Sequence, residues 1–101
     1  MYASLCQEVP LEAIHQAYRG FYQNEPFVRI LPLGGIANLK HVRCSNFCDI
    51  SLHLDPRTHR LIVVSAIDNM VKGAAGQAIQ NMNLVCGFPE TAGLALVPPA
   101  F

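Results

Sequence analysis

The sequence predicts an α+β fold, with a mixed or antiparallel sheet and helices on one face. Three observations carry that prediction. Apolar residues recur at the 3.6-residue helical period in two separated stretches, Pro10 to Tyr22 and Asn69 to Cys86. Between them Phe47 to Leu54 alternates strictly, as a strand with two different faces does. Arg60 to Ile67 is almost wholly apolar, and the turn Asp55-Pro56-Arg57-Thr58-His59 joins it to the alternating stretch as a hairpin. The resulting order is not the regular βαβ alternation of a parallel sheet.

Taken in order, Tyr2 to Leu5 is a short apolar stretch with no start signal of its own, as if it belonged to a longer element. Pro10 suits the first turn of a helix, where its missing N–H does no harm. Leu11, Ile14, Tyr18, Phe21 and Tyr22 form that helix's apolar stripe, with His15 beside it as a packing residue. Asn24-Glu25-Pro26 ends it, because the residue before proline avoids helical angles. Phe27 to Leu31 reads as a short strand with Arg29 turned away from its neighbours, and Pro32 to Asn38 as a loop. The Gly34-Gly35 pair in that loop lacks the Gly-Lys-Ser/Thr helix start of a phosphate cradle.

His41 to Cys44 is expected to be extended and to break at Ser45-Asn46. In the next strand Cys48, Ile50, Leu52 and Leu54 should face the core, while Asp49, Ser51 and His53 meet water or a partner. Both faces of the apolar strand Arg60 to Ile67 should be covered.

The last helix is expected to open near Asn69, since Asp68 and Asn69 both suit an N-cap. Its core face would carry Val71, Ala74, Ala75, Ala78, Ile79, Met82, Val85 and Cys86. Gly73, Gly76, Gln77 and Gln80 fall on the other side. A glycine inside a helix costs roughly 1 kcal/mol relative to alanine, so two on a non-core face suggest close approach by another group. Gln77 and Gln80 offer amides there, and Lys72 suits an anionic neighbour. The plainer alternative is that Asp68 pairs with Lys72 and the glycines only ease packing. Gly87 is a natural helix stop, and Pro89 and Pro98-Pro99 mark an irregular tail.

Composition narrows the function classes. The chain has 101 residues, 51% hydrophobic and 14% charged, enough for one domain or part of one. Seven basic and seven acidic residues cancel, which disfavours nucleic acid and a polybasic membrane anchor as partners. No apolar run approaches the roughly 20 residues of a membrane helix, and no signal peptide is evident, so a cytoplasmic location is expected. Cys6, Cys44, Cys48 and Cys86 are expected to be free, buried thiols. His41, Cys44, Cys48 and His53 lack paired zinc-ligand spacing, so no metal site is expected. Neither a nucleophilic cysteine setting nor a serine elbow is present, so no catalytic group is assigned.

The run Asp68-Asn69-x-x-Lys72-Gly73-Ala74-Ala75-Gly76-Gln77-Ala78-x-Gln80-Asn81-Met82-Asn83, continued by Gly87-Phe88-Pro89-Glu90-Thr91 and Gly93-Leu94, resembles the C-terminal signature of N-acetyl-gamma-glutamyl-phosphate reductase. Tyr2 to Leu5, Glu25 to Val28, Ser45 to Asp49 and Val63 to Asn69 also resemble that family's pattern. Aspartate-semialdehyde dehydrogenase, the sister family, resembles the chain only through a shorter Asp-Asn-x-x-Lys-Gly-Ala-Ala run. Two departures stand out: Cys44 occupies the place of the family's glycine before Ser-Asn, and the loop from Ile36 to Leu39 lacks the usual Pro-x-Thr-Lys wording.

The resemblance implies that residues 1–101 are a C-terminal fragment of the substrate and dimerisation domain of a two-domain dehydrogenase, ending near its absent Rossmann domain. The family's reaction uses a cysteine thiolate, a histidine base and NADPH to interconvert N-acetyl-glutamyl phosphate and the semialdehyde in arginine biosynthesis. The Gly-x-Gly-x-x-Gly, cysteine and histidine motifs do not occur here, so the fragment is not expected to be active alone. It also implies a homo-oligomer, with NADP held mainly by the missing domain. By resemblance Gln77 would hold the nicotinamide carboxamide, Gly76 would permit its approach, and Asn69 and Lys72 would be weaker contacts. A different class of reading is a stand-alone α+β binding or dimerisation module, in which the Gly73/Gly76 face is packed and Gln77 merely solvated.

Overall fold

Residues 1–100 are described by a computed structural model of the chain; Phe101, the end of the expected tail, lies outside the described residues. The elements run β1 (Tyr2–Ser4), α1 (Leu11–Tyr22), β2 (Val28–Ile30), a single 3₁₀ turn (Leu39–His41), β3 (Cys48–Asp55), β4 (Arg60–Ile67), a wide helical turn (Val71–Ala75) and α2 (Gly76–Cys86). The sheet order is β1-β4-β3-β2. β3 pairs antiparallel with β4 along its whole length, from Cys48 opposite Ile67 to Asp55 opposite Arg60. β1 is antiparallel to β4, and β2 is parallel to β3. The sheet is therefore mixed, in keeping with the α+β class.

The hairpin turn forms because Asp55 accepts from the Arg57 N–H at 2.9 Å and the Thr58 hydroxyl at 2.9 Å. Those bonds hold the Asp55 carboxyl below its ordinary pKa, the Arg57 amide most strongly. α1 packs over β2 and β3, and buried His15 donates from Nε2 to the Leu31 carbonyl at 2.8 Å. Its stripe is incomplete, since Phe21 is 79% exposed.

The second face of β3 meets partners rather than water. Ile50 and Leu52 are buried, but so are Asp49 and Ser51. Both gain partners on that second face: the Ala37 N–H, from the segment between β2 and β3, donates to Ser51 Oγ at 3.0 Å, and Arg29 of β2, opposite Asp49 in the sheet, binds it through Nε at 2.6 Å and Nη2 at 3.0 Å. Polar residues stay inside because each meets a partner there. The same segment corrects the strand expected at His41 to Cys44. Asn38 caps a tight turn by accepting from the Lys40 N–H at 2.9 Å, and Cys44 sits at φ 57°, a left-handed conformation that ends any extended run.

β4 is less covered than expected. Leu61 and Ala66 are buried, whereas Ser65 and Ile67 are exposed. β1 accompanies it from Arg60 to Ile62, and Met1 adds two bonds to Val63, its amine donating to the Val63 carbonyl and its carbonyl accepting from the Val63 N–H, both at 2.9 Å. Cys6, Cys44 and Cys86 are exposed and Cys48 is half-buried; all four are free, but the expected burial fails. With one helix on a four-stranded sheet, the molecule is a thin slab of 45 × 32 × 18 Å. Its accessible surface is 6698 Å². A compact monomer of 11.1 kDa exposes about 5,650 Å². About 1,000 Å² is thus left over.

Candidate functional site at the opening of the last helix

The chain leaves β4 at Asp68, which organises the turn into the last helix. Its carboxylate accepts from the Cys44 N–H at 2.7 Å, the Met70 N–H at 2.8 Å and the Val71 N–H at 3.0 Å. These amides, Cys44's first, hold the Asp68 carboxyl below its ordinary pKa. The capping side chain is Asp68, not Asn69. It also explains the left-handed Cys44, whose backbone N–H it fixes, at the position where a glycine is expected by resemblance.

The helix then opens one turn too wide. Gly73 N–H bonds to Asp68 O at 3.0 Å, Ala75 N–H to Met70 O at 3.2 Å, and Gly76 N–H to Val71 O, each five residues back. Such turns rotate everything downstream relative to a plain α-helix, and they concentrate at functional sites. The faces of α2 are the reverse of those expected. Gly76, Gln80 and Asn83 are buried, at the i, i+4, i+7 spacing of one stripe. The expected core stripe looks outward instead: Ala74, Ala75, Ala78, Ile79, Met82 and Cys86 are exposed, and Val85 is 86% exposed.

Inside the turn, polar side chains from three segments meet. Lys72 Nζ donates to Gln80 Oε1 at 2.7 Å and lies 5.5 Å from the centre of the Phe27 ring. Asn46, only 1% exposed, donates from Nδ2 to the same Gln80 oxygen at 3.0 Å. Its other atom, Oδ1, has no hydrogen-bond partner and rests against Gly76. A Cβ at position 76 would meet that oxygen, and the Val71 carbonyl at 2.6 Å, so only glycine fits there. Close approach at Gly76 is therefore real, but the group that approaches is this chain's own Asn46.

The four residues singled out by sequence separate accordingly. Lys72 and Gly76 belong to the buried junction, and Lys72 turns inward to Gln80 rather than back to Asp68. Gln77 is half-buried and donates to Asn81 Oδ1 at 3.0 Å along the same helix. Asn69 is exposed, and its Oδ1 lies 2.8 Å from where a Cβ on Gly73 would sit. An open polar groove around Gly73, Gly76 and Gln77 is not what this chain forms.

Three participants escape the sequence pattern. Asn46 sits in the Ser45-Asn46 pair just before β3, and the family-like wording from Ser45 to Asp49 is the signal that could have found it. Asn83 donates from Nδ2 to the Glu90 and Ala92 carbonyls, both at 3.0 Å, pegging the tail beneath α2. Arg29 stacks 4.1 Å from the centre of the Phe47 ring while it binds Asp49. Cys48 lies close enough to feel Lys72, but burial dominates and pushes its thiol up, so it is a packing thiol rather than a nucleophile. The junction can seat an ammonium and orient amides; it contains no pair of a nucleophile and a base.

The sequence is similar to known proteins along its whole length. Residues 1–69 match the family model described as semialdehyde dehydrogenase, dimerisation domain. An N-acetyl-gamma-glutamyl-phosphate reductase of Brachyspira hyodysenteriae is 60% identical over 95 residues, covering 94% of this chain and 27% of that protein. One from Clostridium botulinum is 55% identical over 101 residues, covering 100% of the chain and 29% of that protein. One from Citrifermentans bemidjiense is 64% identical over 81 residues, covering 80% of the chain and 23% of that protein. The chain thus spans under a third of the length of the curated relatives it matches. No helix among the described residues is long and apolar enough to cross a membrane. The family match takes in the whole sheet and α1, and the relatives extend the likeness through α2: the chain belongs to the semialdehyde dehydrogenase dimerisation-domain family, on its N-acetyl-gamma-glutamyl-phosphate reductase branch.

Proposed function

We propose that the chain is the C-terminal portion of an NADPH-dependent reductase that interconverts N-acetyl-glutamyl phosphate and N-acetyl-glutamate semialdehyde in arginine biosynthesis, in the cytoplasm. The carrying observation is identity of 52–64% to reductases of that name over most or all of the chain. In this reading the nucleophile and base stand on the remainder of the enzyme, and this portion is inactive by itself. When bound, NADPH supplies the hydride. The residues here fit a nicotinamide amide at the outer edge of the turn, where Asn69 is exposed and Gln77 half-buried. Gly76 acts one step removed: it admits Asn46, which with Gln80 sets the position of Lys72.

The exposed stripe on α2 supports the same reading, because a helix of an isolated module has no reason to turn Ile79, Met82 and Val85 outward. The rest of the reductase is the natural cover. One observation favours the rival stand-alone module, namely that Asn46 already seals Gly76.

The deciding experiment assays phosphate-dependent NADP reduction by the complete protein with N-acetyl-glutamate semialdehyde. Activity is expected, and Gln77→Ala should weaken use of NADP while leaving the fold intact. A well-folded complete protein with no such activity would sink the reductase reading. Unchanged kinetics in Gln77→Ala would remove that residue from the cofactor site.

A further inference from the structure

We infer that in the complete protein the Lys72 ammonium seats an oxyanion of the substrate, a phosphoryl or carboxylate group. This deepens the reductase reading, on which it rests, by giving the inner side of the wide turn a ligand other than the nicotinamide assigned to its outer edge. Lys72 is half-buried, and its Nζ donates to Gln80 Oε1 at 2.7 Å. Gln80 is 8% exposed, and Asn46, 1% exposed, donates to the same oxygen at 3.0 Å. An ammonium carries three N–H donors, and only one is engaged here. Two buried amides thus fix the position of a cation and leave most of its bonding capacity open.

The described residues supply that cation with no anion. Their ion pairs join Arg29 to Asp49 and, at 3.8 Å, His59 to Glu8. Asp68, four residues before Lys72, gives its oxygens to the amides of Cys44, Met70 and Val71, and Asp49, three residues after Asn46, is bound twice by Arg29. Both nearby carboxylates are therefore committed. A charge drawn part-way out of water is costly unless it is paired, and the neutral Gln80 oxygen cancels none of it. A glutamate at position 80 would cancel it in the same geometry, so the amide suits an anion that arrives and leaves rather than a permanent ion pair. The substrate of the proposed reaction, N-acetyl-glutamyl phosphate, carries a phosphoryl group and a carboxylate, and the reverse reaction takes up inorganic phosphate. NADP fits less well. In the reductase reading its phosphates fall to the remainder of the enzyme, and its nicotinamide to Asn69 and Gln77 on the outer edge, whereas Lys72 turns inward.

The test compares the complete protein with two variants in phosphate-dependent NADP reduction, measuring KM separately for phosphate, N-acetyl-glutamate semialdehyde and NADP. Lys72→Met removes the charge. Gln80→Glu keeps Lys72 and both bonds to the position 80 oxygen but pairs the ammonium from within. Loss of a hydrogen bond to a charged group weakens binding at least about 10-fold. Both variants are expected to raise the KM of one oxyanion substrate by that much and to leave the KM of NADP unchanged, and Gln80→Glu should keep a native thermal transition. A rise for phosphate marks the phosphoryl group as the ligand, and a rise for the semialdehyde marks the carboxylate. Should Lys72→Met misfold, Gln80→Glu alone is read in the same way. Unchanged KM for both oxyanion substrates, or a rise for NADP only, would overturn the proposal. A complete protein that reduces no NADP would sink the reductase reading, and the oxyanion site is then read without turnover. Inorganic phosphate or N-acetyl-glutamate should raise the thermal transition of the unsubstituted protein and not of Gln80→Glu, and no rise with either anion would overturn the site as well.

Discussion

Strand β3 buries both of its faces, whereas helix α2 buries its polar side and turns its apolar side outward. Both elements are amphipathic in sequence, and on pattern alone both should separate core from solvent in the ordinary way. In β3 the second face is closed by the neighbouring β2, whose Arg29 pairs with Asp49, and by the loop after it, whose Ala37 amide reaches Ser51. In α2 the buried side is served by Asn46 and the tail, while Ile79, Met82 and Val85 are left without cover. Amphipathicity marks that two sides differ. It does not say which side the same chain will cover.

The comparison can be broken most directly at Asp49, where burial and pairing are most complete. Removing one member of a fully buried ion pair costs about 3–5 kcal/mol, because the other charge stays behind. Arg29 is 39% exposed and keeps the His41 carbonyl and the Phe47 ring, so it regains some water. Asp49→Ala should therefore cost about 2–3 kcal/mol in urea unfolding. A loss under about 1 kcal/mol, the worth of an exposed pair, would show that the second face of β3 is open in solution.

The two glycines of the last helix sharpen the contrast on the other side. Alanine in place of a helical glycine gains about 1 kcal/mol where nothing intervenes. At Gly76 the new methyl would collide with Asn46 and with the Val71 backbone, and overpacking of that kind costs about 1–3 kcal/mol. At Gly73 the nearest atom is the far end of the exposed Asn69 side chain, which can swing away. Gly76→Ala should lower stability by about 1–2 kcal/mol net, and Gly73→Ala should raise it by up to about 1 kcal/mol. Equal effects at the two positions would mean that Asn46 does not seal Gly76.

On the outer side of α2 the expected change is smaller still. Met82→Ala removes a side chain that is half exposed, and such surface changes stay within about 0.5 kcal/mol. A buried leucine or methionine cut back to alanine loses about 2–5 kcal/mol. If Met82→Ala lost that much in thermal unfolding of this chain alone, the stripe would be covered after all.

Sequence reading captures what depends on local pattern. The hairpin from Cys48 to Ile67, the helix from Leu11 to Tyr22 and the stop at Gly87 follow from alternation, period and turn chemistry. Gly87, at φ 73°, takes the left-handed conformation that ends a helix and lets the Phe88 N–H reach the Asn83 carbonyl. What escapes is set by contacts distant in sequence. Nothing near Val71 announces that the helix will widen there, and nothing within α2 announces that Asn46 and Lys72 will hold Gln80 on the buried side. Asn46 lies 34 positions from Gln80, and their bond is legible only once the Ser45 segment is folded against the helix. Close approach at Gly76 is legible from the glycine itself, but not the identity of the approaching group.

Asp68 joins the two regions, since it ends β4 and caps the turn that leads to α2. Its carboxyl is held below the ordinary value of about 3.9 by the amides of Cys44, Val71 and Met70, in that order of strength. A depressed carboxylate contributes stability that is complete above the unfolded pKa and is lost as pH falls through the folded one. The unsubstituted chain should therefore lose stability progressively below about pH 4, with Asp68 and the similarly depressed Asp55 both contributing. Asp68→Asn keeps an oxygen for the Met70 and Val71 amides but removes the charge that Cys44 also uses. It should be slightly less stable at neutral pH and should show a shallower acid limb, converging on the unsubstituted chain as the pH falls. Asp55→Asn serves as the matched control at the hairpin turn. If only Asp55→Asn flattened the limb, Asp68 would not be holding β4 to the helix in solution, and the reversed faces of α2 would lose the anchor that sets them.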